Sequence, residues 1–281
     1  MRWLVRWFSY PVVMGLAILG VMVLLRASAA PAWGLIATTL SGVLVVGLLE
    51  RVAPYEPAWT HGHGDLLADL QYNFLGAVLL QASAAFIYPF LVGSMSFNVW
   101  PAEWPLWASV LALGAIIDLG LYVMHRWSHR SKLLWRFHQP HHSPERLYWL
   151  NAERRHVVSA LLLAAPGLAA VALLGAPTEA LAAWFAILPV HLAFQHANID
   201  YSLGPFRFLF GVAEMHRWHH KRDFEDAQIN FGEALLVWDW IFGTGHDARE
   251  RVKASDLGLS DGAYPKGFWG QHLAAFFRRT P

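Results

Sequence analysis

Eight of the fifteen histidines in this 281-residue chain fall into three groups whose spacing could do chemistry. His125 and His129 are one helical turn apart and share a helix face. His138, His141 and His142 read H-x-x-H-H, in which positions i, i+3 and i+4 again share a face, and the same triplet recurs at His216, His219 and His220. Imidazole is the commonest side-chain ligand of transition metals, and each spacing aims several nitrogens at one point. Cysteine is absent, so no thiolate site or disulfide exists and any metal takes nitrogen or oxygen ligands. None of these three groups includes a carboxylate in the Glu-x-x-His pattern that soluble four-helix di-iron proteins use. So many convergent nitrogens exceed what one metal needs, since zinc takes four ligands, whereas two metals with four or five each use the set. A centre built almost wholly of neutral imidazoles stays strongly cationic. It attracts an anionic oxygen-derived ligand, which is the chemistry of oxygen activation.

Other residues belong to the same reading. His196 lies just past an apolar run and is a further candidate ligand; His191, five residues back and about 140° round a helix, and His156, after Arg154-Arg155, are weaker ones. Asp118 and Tyr122 precede His125 by seven and three residues, near one stripe. An ionisable group in an apolar segment is costly and usually functional, so Asp118 is expected to accept the second N–H of a ligating imidazole; the alternative is a helix-packing hydrogen bond. Asn198 is a further candidate for the surroundings of the centre. His61, His63, His246 and His272 lie outside any pattern and read as solvated.

The elements that must position these side chains are helices in a membrane. The chain is 56% hydrophobic and only 15% charged. About six apolar runs, roughly 8–25, 33–49, 70–95, 104–124, 157–174 and 180–195, approach the length of about 20 residues that crosses a bilayer. The expectation is an all-α polytopic transmembrane bundle carrying a histidine-rich di-metal cap. With the N-terminus in the cytoplasm, the outer segments hold Arg26 alone and the cytoplasmic segments hold the other twenty of the 21 Lys and Arg. That bias sets orientation and puts every histidine group and both termini on the cytoplasmic side. The last two runs form a hairpin through Gly175-Ala176-Pro177-Thr178-Glu179 that brings His196 back to that face. Ala27-Ser28-Ala29 resembles a signal-peptidase site, but Arg26 sits where a cleavage region is uncharged, so a retained first helix is expected. Gly204–Val212 and Phe231–Phe242 are too short to span and are expected to lie on the membrane or cap the metal site; Trp269 to Arg279 reads as a short amphipathic helix. Three regions follow: residues 1–109 as N-terminal transmembrane helices, 110–245 as the catalytic domain, and 246–281 as a cytoplasmic tail. A net charge of +1 gives no case for nucleic acid.

At this point the residues resemble a known family, the fatty acid hydroxylase / sterol desaturase superfamily of integral membrane di-iron oxidases. The resemblance rests on His125-Arg126-Trp127-Ser128-His129, His138-Gln139-Pro140-His141-His142-Ser143, Phe194-Gln195-His196-Ala197-Asn198-Ile199-Asp200, His216-Arg217-Trp218-His219-His220, Asn230-Phe231-Gly232 and Trp238-Asp239-Trp240-Ile241-Phe242-Gly243-Thr244, in order and spacing, over about 110 to 245. It implies His125, His129, His138, His141, His142, His196, His216, His219 and His220 as ligands. His191 is one residue further back than the family's usual additional histidine, and His156 corresponds to one often found after the second motif. It also implies two iron ions, O2 as co-substrate, and hydroxylation or desaturation of a lipid C–H bond. The two electrons would come from a separate donor protein of the cytochrome b5, ferredoxin or flavoprotein kind, since no length remains for a fused one. Zinc is not redox-active, though it could occupy the site in purified protein. The basic surface around Arg126, Arg130, Lys132 and Arg136 is expected to dock an acidic carrier, to hold a lipid phosphate, or simply to set topology. Two readings of other classes use the same histidines: a metal transporter or sensor, which would string ligands across the membrane, and a scaffold with a structural zinc. Alanine-rich, lysine-poor composition points to a bacterial inner membrane.

Overall fold

The structure is a computed structural model that describes residues 1–27, 32–247, 250–260 and 263–278. Among them there is no strand, only isolated bridges such as Pro54 with Ile199. The helices are α1 (Arg2–Ala27), α2 (Ala32–Val52), α3 (Leu66–Ala82), α4 (Tyr88–Met95), α5 (Leu106–Arg130), α6 (Lys132–His142), α7 (Val157–Leu174), α8 (Thr178–His196), α9 (Ala213–His219), α10 (Val237–Ile241) and α11 (Phe268–Phe277). A π-helical stretch, Ser83–Ile87, joins α3 to α4 into one 30-residue rod.

Five helices, with α3 and α4 counted as one, are long and apolar enough to cross a membrane. Six spans were expected. The sixth, α8, is a 19-residue helix in the expected place, but Glu179, His191, Gln195 and His196 lower its hydropathy. The reason is its position. It packs against α1, α2 and α5, and most of its residues are buried, so it meets protein rather than lipid. The opposite holds for the α3–α4 rod, of whose most apolar window only 6% is buried. Phe74, Phe86 and Phe90 stand 73%, 74% and 69% exposed on it. Exposed apolar surface on this scale needs lipid beside it, and the protein is a membrane-spanning helical bundle.

α5 and α7 cross in backbone contact at glycines. A Cβ on Gly120 would come within 2.6 Å of the Gly167 nitrogen, and one on Gly167 within 2.6 Å of the Ile117 Cα. Small residues at a crossing let two helices approach where lipid gives no hydrophobic drive between them. α1 joins the same body, burying Val5, Tyr10, Met14 and Ala17 against residues of α8 and the 199–215 segment. The Ser28-Ala29 part of the cleavage-like site lies outside the described residues.

The histidine-bearing segments converge at one end. α5 runs without a break from its apolar start to His125 and His129. Ser131 then caps α6, its side chain accepting from the Leu134 N–H, and α6 carries the first H-x-x-H-H. The α7–α8 hairpin returns through Gly175 and ends on His196. α9 carries His216 and His219, with His220 as its C-cap. The Phe231–Phe242 stretch folds over this end, one of the two roles expected of it, and the C-terminal amphipathic helix is present as α11, packed on α6 and α3.

Candidate metal centre

Nine imidazoles meet there in two sets. His125, His129, His138, His142 and His219 form one, and His141, His196, His216 and His220 the other. Within each set one ring nitrogen from every member lies within 4.8 Å of all the others, and all nine side chains are buried. The sets adjoin, with the His141 ring 5.2 Å from His138 and 5.4 Å from His142. Nε2 atoms face one another at 3.1 Å between His129 and His142, 3.0 Å between His216 and His220, and 3.4 Å between His141 and His196. Two nitrogens bound at about 2.1 Å and at right angles to one ion lie about 3.0 Å apart, so these separations suit neighbouring ligands of a shared cation. His125 Nε2, His219 Nε2 and both nitrogens of His138 are buried with no hydrogen-bond partner. Stranding such groups costs about 1–3 kcal/mol each. A transition metal is the partner that would satisfy lone pairs converging from several sides.

Carbonyls settle the tautomers. His125 Nδ1–H donates to Phe231 O at 2.7 Å, His219 Nδ1–H to Ile229 O at 2.8 Å, and His196 Nδ1–H to Leu192 O at 3.0 Å. A carbonyl only accepts, so each Nδ1 carries the proton and each Nε2 turns a lone pair to the centre. Two of those carbonyls sit in the 229–232 loop, which the sequence motifs Asn230-Phe231-Gly232 and Asp239…Thr244 build. Asp239 accepts from the N–H groups of Phe231 and Gly232 at 2.8 and 2.7 Å and from Thr244 Oγ1 at 2.7 Å. Asn230, in the left-handed region at φ 52°, donates to Met215 O and His246 O. Gln195 Nε2 donates to Gly232 O at 2.9 Å.

Burial, and then the charge each neighbouring imidazole would carry, holds the imidazoles of α6 and α9 well below the ordinary histidine range. They stay neutral, the form that ligates.

Asp118 does not do what its position suggested. Its carboxylate reaches no histidine; it accepts from Ala234 N at 2.7 Å, Leu235 N at 3.0 Å and Trp238 Nε1 at 3.0 Å. It anchors the loop that holds the Phe231 carbonyl, so it acts on His125 at one remove. Tyr122 bonds Thr244 Oγ1 at 2.8 Å, bracing the same loop. Asn198 ties Glu56 at 2.8 and 3.0 Å and makes no hydrogen bond to an imidazole among the described residues. His191 joins neither set. Its Nε2–H donates to Glu233 O at 3.1 Å and its Nδ1 accepts from Tyr10 Oη at 2.7 Å, which leaves no lone pair for a metal. His156 also stays apart, capping α7 through Nδ1 at 3.1 Å from Val158 N and stacking on His272 with ring centroids 4.4 Å apart. His272 is therefore packed rather than solvated, because α11 folds back onto α3 and α6.

Two charged residues that the sequence reading did not single out are Arg155 and Glu233. Arg155 Nη2 meets Glu233 Oε2 at 2.8 Å, both buried, and Glu233 Oε1 lies 3.6 Å from His125 Nδ1. The signal was present, since a Glu within an apolar stretch is as costly as Asp118, but no spacing rule linked residue 233 to residue 155.

Residues 110–244 match the family model for fatty acid hydroxylase. Ornithine lipid hydroxylase OlsE of Rhizobium tropici is 34% identical over 251 residues, covering 85% of this chain and 75% of that protein. The chain belongs to the fatty acid hydroxylase family. Human alkylglycerol monooxygenase is 29% identical over 164 residues, 56% of this chain and 34% of that one, and rat methylsterol monooxygenase 1 is 27% identical over 169 residues, 56% of each. No solved structure matches it. This fatty acid hydroxylase family member is an oxidoreductase, and the matched segment contains all nine clustered histidines together with Asp118, Glu233 and Asp239.

The family member has two cavities of note, one reaching the histidines and one linked to them through Arg155. One, of about 110 Å³, lies between α3, α5, α7 and α8; it is lined by Leu79, Ile117, Leu121, Leu161, Phe185 and Leu192, with Glu153 and Arg155 also in its wall. The other, of about 340 Å³, reaches the side chains of His129 and His142 and is walled by Arg130, Lys132, Lys221 and Arg222.

Proposed function

We propose that this chain is a membrane-embedded lipid hydroxylase whose nine clustered histidines hold two iron ions. The observation that carries the reading is the pair of adjoining, buried sets of imidazole nitrogens, several with no partner in the protein. Iron suits imidazole and is redox-active; bound there it would supply oxygen activation and the power to break an unactivated C–H bond, which zinc lacks. The chain's own residues do the rest. Carbonyls of Phe231, Ile229 and Leu192 keep the Nδ1 protons of His125, His219 and His196 in place, so that the Nε2 of each of these three stays free to donate to metal. Phe231, itself buried 5.1–5.6 Å from the rings of His125, His129 and His219, keeps water from that side.

The apolar cavity between α3, α5, α7 and α8 takes the acyl chain from the bilayer, and Arg155, paired with Glu233 beside His125, marks its end nearest the centre. Ornithine lipid is the first substrate to try, because the relative named for it spans most of this chain. The lysine and arginine bias supports an inner-membrane orientation with the centre and both termini on the cytoplasmic side, where an external protein donor supplies the electrons. A transporter reading fares worse, since the ligand sets gather at one end of the bundle instead of along its length.

The test combines metal analysis with oxygen uptake by the iron-loaded protein given a reductant and lipid extract, and a comparison of host lipidomes with and without the gene. The expected result is about two iron per chain, lipid-dependent uptake, and one lipid class heavier by a single oxygen. Loaded protein that consumes no oxygen with any lipid fraction would sink the proposal.

A further inference from the structure

The larger cavity is chemically unlike the smaller. Its wall carries four cationic side chains, Arg130, Lys132, Lys221 and Arg222, and no acidic one. Lys221 is paired with Asp226, and Arg222 donates through Nε and Nη2 to Leu257 O at 3.0 and 2.8 Å. Arg130 and Lys132 have no carboxylate partner among the described residues. They flank Ser131, which caps the end of α5 and the start of α6. Trp135 and Phe224, ring centroids 4.8 Å apart, supply an apolar wall, and His129 and His142 lie at the back.

We propose that this cavity binds the anionic group, phosphate or carboxylate, of a membrane lipid's head. The inference rests on the reading of the chain as a lipid hydroxylase and adds where the head goes. Charge complementarity selects an anion: two cations without a carboxylate partner among the described residues face a concave space of about 340 Å³, at the low end of the roughly 300–1,000 Å³ of small-molecule sites. The paired cavities select a lipid. The cationic recess with its aromatic wall ends on His129 and His142, and the apolar chamber among membrane helices is linked to His125 through Arg155 and Glu233; an amphiphile is the molecule with matching parts. An acidic donor protein would need a broad convex contact in place of a recess that ends on two imidazoles.

The full chain, purified and reconstituted in nanodiscs of phosphatidylcholine doped with phosphatidylglycerol, is stripped gently and its retained lipids are counted by native mass spectrometry. Wild-type protein is expected to keep phosphatidylglycerol over phosphatidylcholine by about thirtyfold, from two juxtamembrane cations at roughly 1 kcal/mol each. The double variant Arg130→Gln, Lys132→Gln should fall to near parity with metal content unchanged, while Lys266→Gln, an exposed residue outside the cavity, should behave as wild type. A double variant that keeps the preference would overturn the proposal. So would displacement of the lipid by inorganic phosphate at equal concentration, which would make the recess a free-anion site. A third overturning result is a double variant with intact lipid preference that can no longer be reduced by a donor protein, since the cations would then serve protein docking. No turnover is involved, so a chain that retains anionic lipid yet oxidises none would defeat the hydroxylase reading alone.

Discussion

The two histidine sets are built from the same residue type and held in different ways. In the five-histidine set, His125 and His219 donate to carbonyls of the 229–231 loop, Glu233 stands beside His125, and His129 and His142 face the cationic cavity. In the four-histidine set, His196 donates to Leu192 within its own helix, the Nδ1 atoms of His141 and His216 have no partner, and none of the four lines either cavity described above. One half is braced by a loop and reachable; the other is held by helices and enclosed. The lesson is that a loop far along the chain from α5 orients imidazoles of one half directly and reaches the other only through the neighbours of its ligands, Gln195 and Met215.

The sharpest break of that comparison comes from removing one ligand at a time. His219→Ala and His220→Ala should each cost more activity than the roughly 100-fold expected for an outer partner, and each should lose one of two metals by elemental analysis. If either variant loses both, the halves are a single cooperative unit and the contrast fails. Acid should come next in size. The α6 and α9 histidines have folded pKa values far below 6.5 because burial disfavours the charged ring. Above about pH 6.5 neither the folded nor the unfolded chain protonates them, so nothing is lost. Below it the unfolded chain gains protons that the folded one refuses, and stability falls by up to about 1.4 kcal/mol per pH unit for each such histidine. Metal-free protein should therefore melt progressively lower from pH 7 to pH 5, and metal-loaded protein should resist; a flat profile for the metal-free form would count against neutral burial.

Glu233→Gln should follow, since breaking a buried pair costs about 3–5 kcal/mol, an upper range here because the Glu153 charge also acts on Arg155. Its effect on metal retention should appear in the five-histidine half first, read by the spectrum of a cobalt-substituted protein. Asp118→Asn is expected to cost about 1–3 kcal/mol by leaving loop N–H groups unmatched, with activity lowered about 10–100-fold and the four-histidine metal retained. Equal loss from both halves would show that the loop braces the whole centre. The smallest effect belongs to Tyr10→Phe, which deletes the bond to His191 for about 1 kcal/mol. Metal content should not change, and a drop in it would bring His191 into the centre after all.

Much of this was legible before any coordinates. Periodicity placed every histidine set on a helix or at its end, because i, i+3 and i+4 repeats have one helical meaning. The apolar runs matched the observed helices, including the α7–α8 hairpin and the short amphipathic α11. The errors have a common cause. Asp118 shares a stripe with His125, but a helical stripe only says that side chains leave in the same direction; the intervening turns put the carboxylate against a loop and the imidazole against the metal site. His272 read as solvated because nothing in its own neighbourhood shows that α11 folds back to stack it on His156.

Sequence alone therefore determined the ligand type, the helical spacing, and the need for lipid around the apolar rods, since each depends on residues close together in the chain. Tertiary structure alone decided how nine imidazoles divide into five and four, which carbonyl orients each, and that Arg155 and Glu233 meet beside His125. Those outcomes depend on contacts between segments up to about a hundred residues apart, such as His125 with Phe231, and local patterns carry no information about which distant backbone will arrive.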